Sequence, residues 1–122
     1  MKDSIVKTKT FSFAVRIVKL SGYLKTEKRE YIMARQILRS GTSVGAMVRE
    51  AVYSESKPDF IHKLAIAQKE IHETIYWLEL LQVTGYLKPS HFDSINADAV
   101  EIIKLLTSII KTTKKGMKGN NH

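Results

Sequence analysis

Apolar residues recur at three- and four-residue intervals along almost the whole chain, and no stretch shows the sustained alternation of a β-strand. This spacing predicts four amphipathic helices, at about residues 10–24, 30–54, 56–84 and 90–114. Short connections between helices of similar length favour antiparallel neighbours. The expected fold class is therefore all-α, an antiparallel up-down-up-down four-helix bundle in a single domain.

Local signals place the ends of the last two helices. In "SKPDF", Ser56 and Asp59 have the spacing of a capping box, and Pro58 suits a first helical turn. Gly85 follows the third helix as a glycine commonly follows a helix end, and Ser90 is the predicted N-cap of the fourth. We expect residues 1–9 to be a flexible N-terminal segment, 10–114 the bundle, and 115–122 a disordered basic tail.

Two glycines interrupt the second predicted helix, in the stretch "RSGTSVGAMVREA". Each interior glycine costs about 1 kcal/mol relative to alanine, so a compensating gain is expected. At about 100° per residue, Gly41 and Gly45 both fall within roughly 20° of Ala34, at the centre of the apolar face. We expect both glycines to mark helix close-packing, where the backbone of another helix comes near.

The faces opposite these apolar stripes are unusually rich in small and apolar residues. In the second helix the predicted outer face consists of Gln36, Arg39, Ser40, Ser43, Met47 and Glu50. In the third helix, Ile66, Trp77 and Leu80 lie opposite the core stripe, where a monomer rarely exposes a large patch. One reading is a broad core stripe with scattered surface apolar residues. The other, which we favour, is an oligomer interface formed by Arg39, Ser43, Met47, Glu70, Glu73, Trp77 and Leu80.

The net charge of +8 is unevenly distributed. Residues 10–49 carry eight basic residues against two acidic ones, whereas residues 50–101 carry four lysines against nine acids. A basic surface and an acidic surface on different faces allow the basic face of one subunit to contact the acidic face of the next. Such head-to-tail contacts close into a ring when the rotation between neighbouring subunits permits. The charge pattern therefore agrees with a homo-oligomer.

A basic stripe in the second helix is the candidate nucleic-acid-binding surface. Lys28, Arg35 and Arg39 fall within roughly 40° of one another, and Arg16 and Lys19 could extend the stripe from the first helix. Repeated around a ring, these charges would attract phosphates by counterion release. The alternative is that Arg39 pairs with Glu70 and Glu73 of a neighbouring subunit. No aromatic stacking platform is evident in the sequence.

The segments "RQILRSGTSVGAMVREA" and "KLAIAQKEIHETIYWLELLQVTGYL" resemble the bacterial 23S rRNA intervening-sequence protein family, and the likeness extends from "FAVRIVKL" through the fourth helix. The resemblance implies a homo-oligomer, a pentameric barrel of four-helix bundles. A related group, the accessory proteins of diversity-generating retroelements, binds nucleic acid and a reverse transcriptase. Met47 stands where the family pattern commonly has Asn, so a polar contact made by that Asn would be absent.

No residue constellation indicates catalysis or metal binding. The sequence contains no cysteine, "HE" at His72 lacks the second histidine of a zinc-protease motif because Tyr76 occupies its place, and no paired Glu-x-x-His elements exist. We expect no cofactor, no metal, no membrane span and a cytoplasmic location. The expected function is non-enzymatic binding of RNA or DNA by a homo-oligomer; the alternative is an oligomeric scaffold for a protein partner such as a reverse transcriptase.

Overall fold

Four helices account for most of the computed structural model, which describes residues 2–119. They are α1 (Lys2–Thr26), α2 (Ile32–Val52), α3 (Lys57–Val83) and α4 (Pro89–Gly119). Each helix packs against two neighbours, in the order α1–α2–α3–α4–α1, and the diagonal pairs do not meet within the described part of the chain. The prediction of an all-α, single-domain four-helix bundle is confirmed.

The first and last helices are longer than the apolar pattern predicted. Helix α1 begins at Lys2 rather than at Thr10, so residues 2–9, for which the sequence predicted a flexible segment, are helical. The reason is that Val6 is buried in the core and accepts, through its carbonyl oxygen, a 2.7 Å hydrogen bond from the Thr10 hydroxyl. Helix α4 continues through residues 115–119, which the sequence placed in a disordered tail. Met1 and residues 120–122 of that prediction lie outside the described residues.

The predicted ends of α3 are confirmed, but the predicted start of α4 is not. The Ser56 hydroxyl accepts a 3.1 Å hydrogen bond from the Asp59 backbone N–H, as an N-cap does. Gly85 has φ +85°, a conformation that glycine adopts at little cost. Helix α4 begins at Pro89, and the Phe92 N–H donates to the Lys88 carbonyl at 2.9 Å. Ser90 therefore lies in the first turn and is not the N-cap.

Both glycines of α2 face α1. A Cβ atom on Gly41 would lie 2.7 Å from Cγ1 and Cγ2 of Ile17, closer than packed carbon atoms come. A Cβ on Gly45 would lie 3.3 Å from the backbone carbonyl oxygen of Thr10. The absence of two side chains thus brings α1 and α2 into close contact.

The other buried side of α2 meets α3 and contains a polar contact. Ser40 was placed on the outer face of its helix by the sequence pattern, but it is fully buried. Its hydroxyl lies 2.9 Å from the hydroxyl of Thr74, which is also fully buried. Because α2 packs against helices on two sides, its buried face is wider than the apolar residues alone suggested.

Candidate nucleic-acid interface

A cleft of about 830 Å³ lies at one end of the bundle. One wall is the C-terminal half of α1, and the other is formed by the α3–α4 connection and the first turns of α4. The loop that joins α1 to α2 contributes Lys28. The complete lining is Arg16, Lys19, Leu20, Tyr23, Lys28, Gln82, Gly85, Tyr86, Leu87, Lys88, Pro89, His91 and Ile95.

The α3–α4 connection is held by hydrogen bonds to the end of α3. The backbone N–H groups of Tyr86 and Leu87 both donate to the Leu81 carbonyl oxygen, at 2.8 and 3.2 Å. Leu87 is buried beneath the turn, whereas Lys88 is exposed at the start of α4. The positive φ of Gly85 allows the chain to reverse here. This local structure places Tyr86 and Lys88 in the wall that faces α1 across the cleft.

Basic residues dominate the charge of the cleft. Lys19, Lys28 and Lys88 line it, no Asp or Glu does, and none of these lysines takes part in an ion pair within the described part of the chain. Arg16 differs, because its guanidinium forms a 2.7 Å ion pair with Asp98 of α4. The cleft therefore presents three uncompensated lysines and one arginine held in place by a partner.

Two tyrosines add aromatic surface to this basic lining. The Tyr23 side chain is 42% exposed, and the Lys28 ammonium lies 6.0 Å from the centre of its ring. Tyr86 is half-buried and packs against the core. The sequence showed no stacking platform because the two tyrosines belong to distant segments of the chain. A positively charged cleft with aromatic walls has the chemical character of a single-strand binding site.

Only some of the predicted nucleic-acid-binding residues line the cleft. Arg16, Lys19 and Lys28 line the cleft, but Arg35 and Arg39 lie on α2 outside it. The expected stripe with Lys28 in the second helix is wrong, because α2 begins at Ile32 and Lys28 precedes it. Three of the five residues are therefore close together. The aromatic and basic lining residues that the sequence did not indicate are Tyr23, Tyr86, Lys88 and His91.

Arg39 makes its ion pairs within its own chain. It pairs with Glu70 of α3 at 3.2 Å and also with Glu73. The hydrogen bond from the Trp77 indole N–H, at 3.1 Å, and the one from Arg39 lower the pKa of Glu73. The hydrogen bond to Glu73 in turn raises the pKa of Arg39. Glu70 and Glu73, the carboxylates that the alternative assigned to a neighbouring subunit, therefore pair with Arg39 within one chain in this structure.

The seven residues of the predicted oligomer interface lie along the contact between α2 and α3. Arg39 is exposed, whereas Ser43, Met47, Glu70, Glu73, Trp77 and Leu80 are half-buried. Met47 and Trp77 pack against the core of their own bundle. Part of this surface is therefore covered within the protomer.

A more exposed apolar surface lies on α1. Phe11, Val15 and Val18 are 56%, 39% and 52% exposed and fall within roughly 60° of one another around the helix. We call these three residues the α1 stripe. Arg49 of α2 lies beside it, with its guanidinium carbon 5.3 Å from the centre of the Phe11 ring. The signal was present in the sequence as the spacing 11, 15 and 18.

The described residues do not assemble a metal site. Nowhere in residues 2–119 do three or more His, Cys, Asp or Glu side chains come together as metal ligands would. His91 lines the cleft, while His62 and His72 are exposed on α3. None of the helices in the same range combines the length and the apolar character that a membrane crossing requires.

The ring of four neighbouring helices defines the chain as an antiparallel four-helix-bundle protein. Residues 2–108 match the model of the 23S rRNA-intervening sequence protein family, and the chain belongs to this family. The crystal structure of a protein with unknown function from the S23 ribosomal protein family of Bacteroides thetaiotaomicron is 57% identical in sequence. That match has a TM-score of 0.90 and covers 91% of this chain and 99% of the other. No curated protein sequence matches the chain at a significant level.

Proposed function

We propose that this protein is a non-enzymatic, homo-oligomeric four-helix-bundle protein that binds RNA or DNA through its basic cleft, in the cytoplasm. The observation that carries the proposal is the cleft lined by Lys19, Lys28 and Lys88, where residues 2–119 supply neither an ion-pair partner for these lysines nor a carboxylate in the lining. When lysines neutralise the phosphates of a nucleic acid, the cations condensed on that nucleic acid are released, which favours binding at low salt.

Self-association forms part of the proposal. The α1 stripe and the half-buried Trp77 leave apolar surface on two sides of the protomer, and a second copy of the chain would cover it. A ring would repeat the basic cleft once per subunit, which increases the avidity for a polyanion. The resemblance to the intervening-sequence proteins favours a pentamer, and light scattering measures the subunit number directly.

The test of nucleic-acid binding compares two triple variants of equal charge. Lys19→Gln/Lys28→Gln/Lys88→Gln removes the lysines of the cleft, and Lys111→Gln/Lys114→Gln/Lys115→Gln removes three from the far end of α4. Lys111 lies ~30 Å along the helix from His91. Because both variants lose the same net charge, a difference between them reports the position of the binding surface.

Filter binding of RNA and DNA across a range of salt concentrations supplies the measurement. The affinity of the wild type should fall steeply as the salt concentration rises. In a plot of log affinity against log salt concentration, the slope of the cleft variant should be shallower by about 0.7–0.9 for each phosphate contact removed. The α4 variant should keep most of the wild-type affinity. Weak binding that does not respond to salt, or an equal loss in both variants, would contradict the proposal.

A second candidate function is an oligomeric scaffold for a protein partner such as a reverse transcriptase. The exposed α1 stripe favours it, because apolar side chains at this spacing form helix-packing surfaces. A pull-down with purified reverse transcriptase in the presence of nuclease tests this function. Capture that survives nuclease and is lost in Phe11→Ser/Val15→Ser would support it, whereas capture that nuclease abolishes would argue against it.

A further inference from the structure

The size of the cleft restricts what can enter it. Its volume of about 830 Å³ falls within the range of about 300–1,000 Å³ that is usual for sites of small ligands. A nucleotide or two from a flexible strand fits such a space. A duplex keeps its bases stacked inside, so it could touch the rim through phosphates but could not place a base in the cleft.

The lining suits a base and its phosphates together. Tyr23 exposes 42% of its side chain on the same wall as Lys19, which precedes it by one helical turn. The distance of 6.0 Å between the Lys28 ammonium and the Tyr23 ring centre is at the outer limit of a cation–π contact. The contact is therefore weak, and little binding energy is lost when Lys28 turns towards a phosphate and a base stacks on the face of the Tyr23 ring.

From this arrangement we infer that the cleft takes unpaired nucleotides of a single strand, with Tyr23 as the stacking surface and Lys19, Lys28 and Lys88 as the phosphate contacts. The inference rests on the proposed function and narrows it to single-stranded substrates. Tyr86 forms a fixed part of the wall because it packs against the core, whereas Tyr23 is the tyrosine that a base can reach.

The experiment is fluorescence anisotropy with a short labelled RNA strand, the same strand annealed to its complement, and free adenosine monophosphate as a competitor. The strand should bind at least about tenfold more tightly than the duplex, and Tyr23→Ala should weaken strand binding by about tenfold. Tyr23→Phe, which keeps the aromatic ring, should bind as the wild type does. Tyr53→Ala is the matched control, since Tyr53 is 85% exposed and lies outside the cleft.

The outcomes separate this inference from the proposed function. Equal binding of strand and duplex, with no effect of Tyr23→Ala, would overturn the inference and leave nucleic-acid binding intact. Competition by the free nucleotide at the affinity of the strand would also overturn it, because the ligand would then be a small molecule. Absence of binding to either RNA probe, together with absence of DNA binding in the filter assay, would refute both. Circular dichroism of each variant confirms that the bundle is folded.

Discussion

Replacing Gly41 with alanine should destabilise the bundle, although alanine is the better helix former. Gly41 lies within α2 and is buried against Ile17 of α1. The added Cβ would lie 2.7 Å from Cγ1 and Cγ2 of Ile17 and 3.1 Å from its Cβ. These atoms are close to the backbone of α1, so they cannot move aside as the tip of a long side chain could.

The expected magnitude follows from two opposing contributions. Forcing an additional carbon into a packed site typically costs about 1–3 kcal/mol. The higher helix propensity of alanine offsets about 1 kcal/mol of this cost. The net loss for Gly41→Ala is therefore up to about 2 kcal/mol in the free energy of unfolding.

Gly22 provides the matched control for this substitution. It lies within α1, it is exposed, and a Cβ on it would meet no atom within 4 Å. Gly22→Ala should therefore gain about 1 kcal/mol from helix propensity alone. Because the propensity gain is common to both variants, the difference between them isolates the packing cost, about 1–3 kcal/mol.

Urea unfolding followed by circular dichroism measures both variants. All samples need the same protein concentration, because self-association makes apparent stability depend on it. If Gly41→Ala proves as stable as Gly22→Ala, the glycine does not mark a close contact, and the account of α1–α2 packing fails.

Three further predictions concern the core, a helix end and an ion pair. Thr74→Val keeps the side-chain shape but deprives the buried Ser40 hydroxyl of its 2.9 Å partner, so the urea assay should show a loss of about 1–3 kcal/mol, partly recovered when Ser40→Ala is added. Gly85→Ala should cost about 1–3 kcal/mol in the same assay, because φ +85° strains a residue with a Cβ. The Trp77 and Arg39 hydrogen bonds lower the pKa of Glu73 below its ordinary 4.5, so its stabilising contribution is present above about pH 4.5 and is lost as the pH falls through the lower folded-state value. Trp77 fluorescence should change over that acidic range in the wild type and stay constant in Glu73→Gln.

The sequence predicted the fold because the signals of this fold are local. Apolar spacing identified four helices, and Ser56 and Gly85 were correctly placed at helix ends. The start of α1 was missed because Ile5 and Val6 are flanked on both sides by charged and hydroxyl residues, so the burial of Val6 depends on the helices packed around it. The same dependence on neighbouring helices explains why Ser40 was assigned to the outer face.

The site was predicted in part, because periodicity describes one helix at a time. It placed Arg35 and Arg39 on one face of α2 and offered Glu70 and Glu73 of a neighbouring subunit as partners of Arg39. It could not show that Glu70 and Glu73 of the same chain lie beside Arg39. Periodicity also could not predict that Tyr23 and Lys88 line the same cleft, because the two residues are far apart in the sequence. Which residues share a surface depends on the packing order of the helices.

Ultraviolet cross-linking of the full chain to single-stranded RNA, with the attached peptides identified by mass spectrometry, tests the central claim most directly. We expect cross-links at Tyr23, the exposed tyrosine of the basic cleft, and not at Tyr86, which packs against the core. We also expect their loss in Lys19→Gln/Lys28→Gln/Lys88→Gln. Cross-links confined to the lysines near the end of α4, or to the outer face of α2 around Arg35, would contradict the claim.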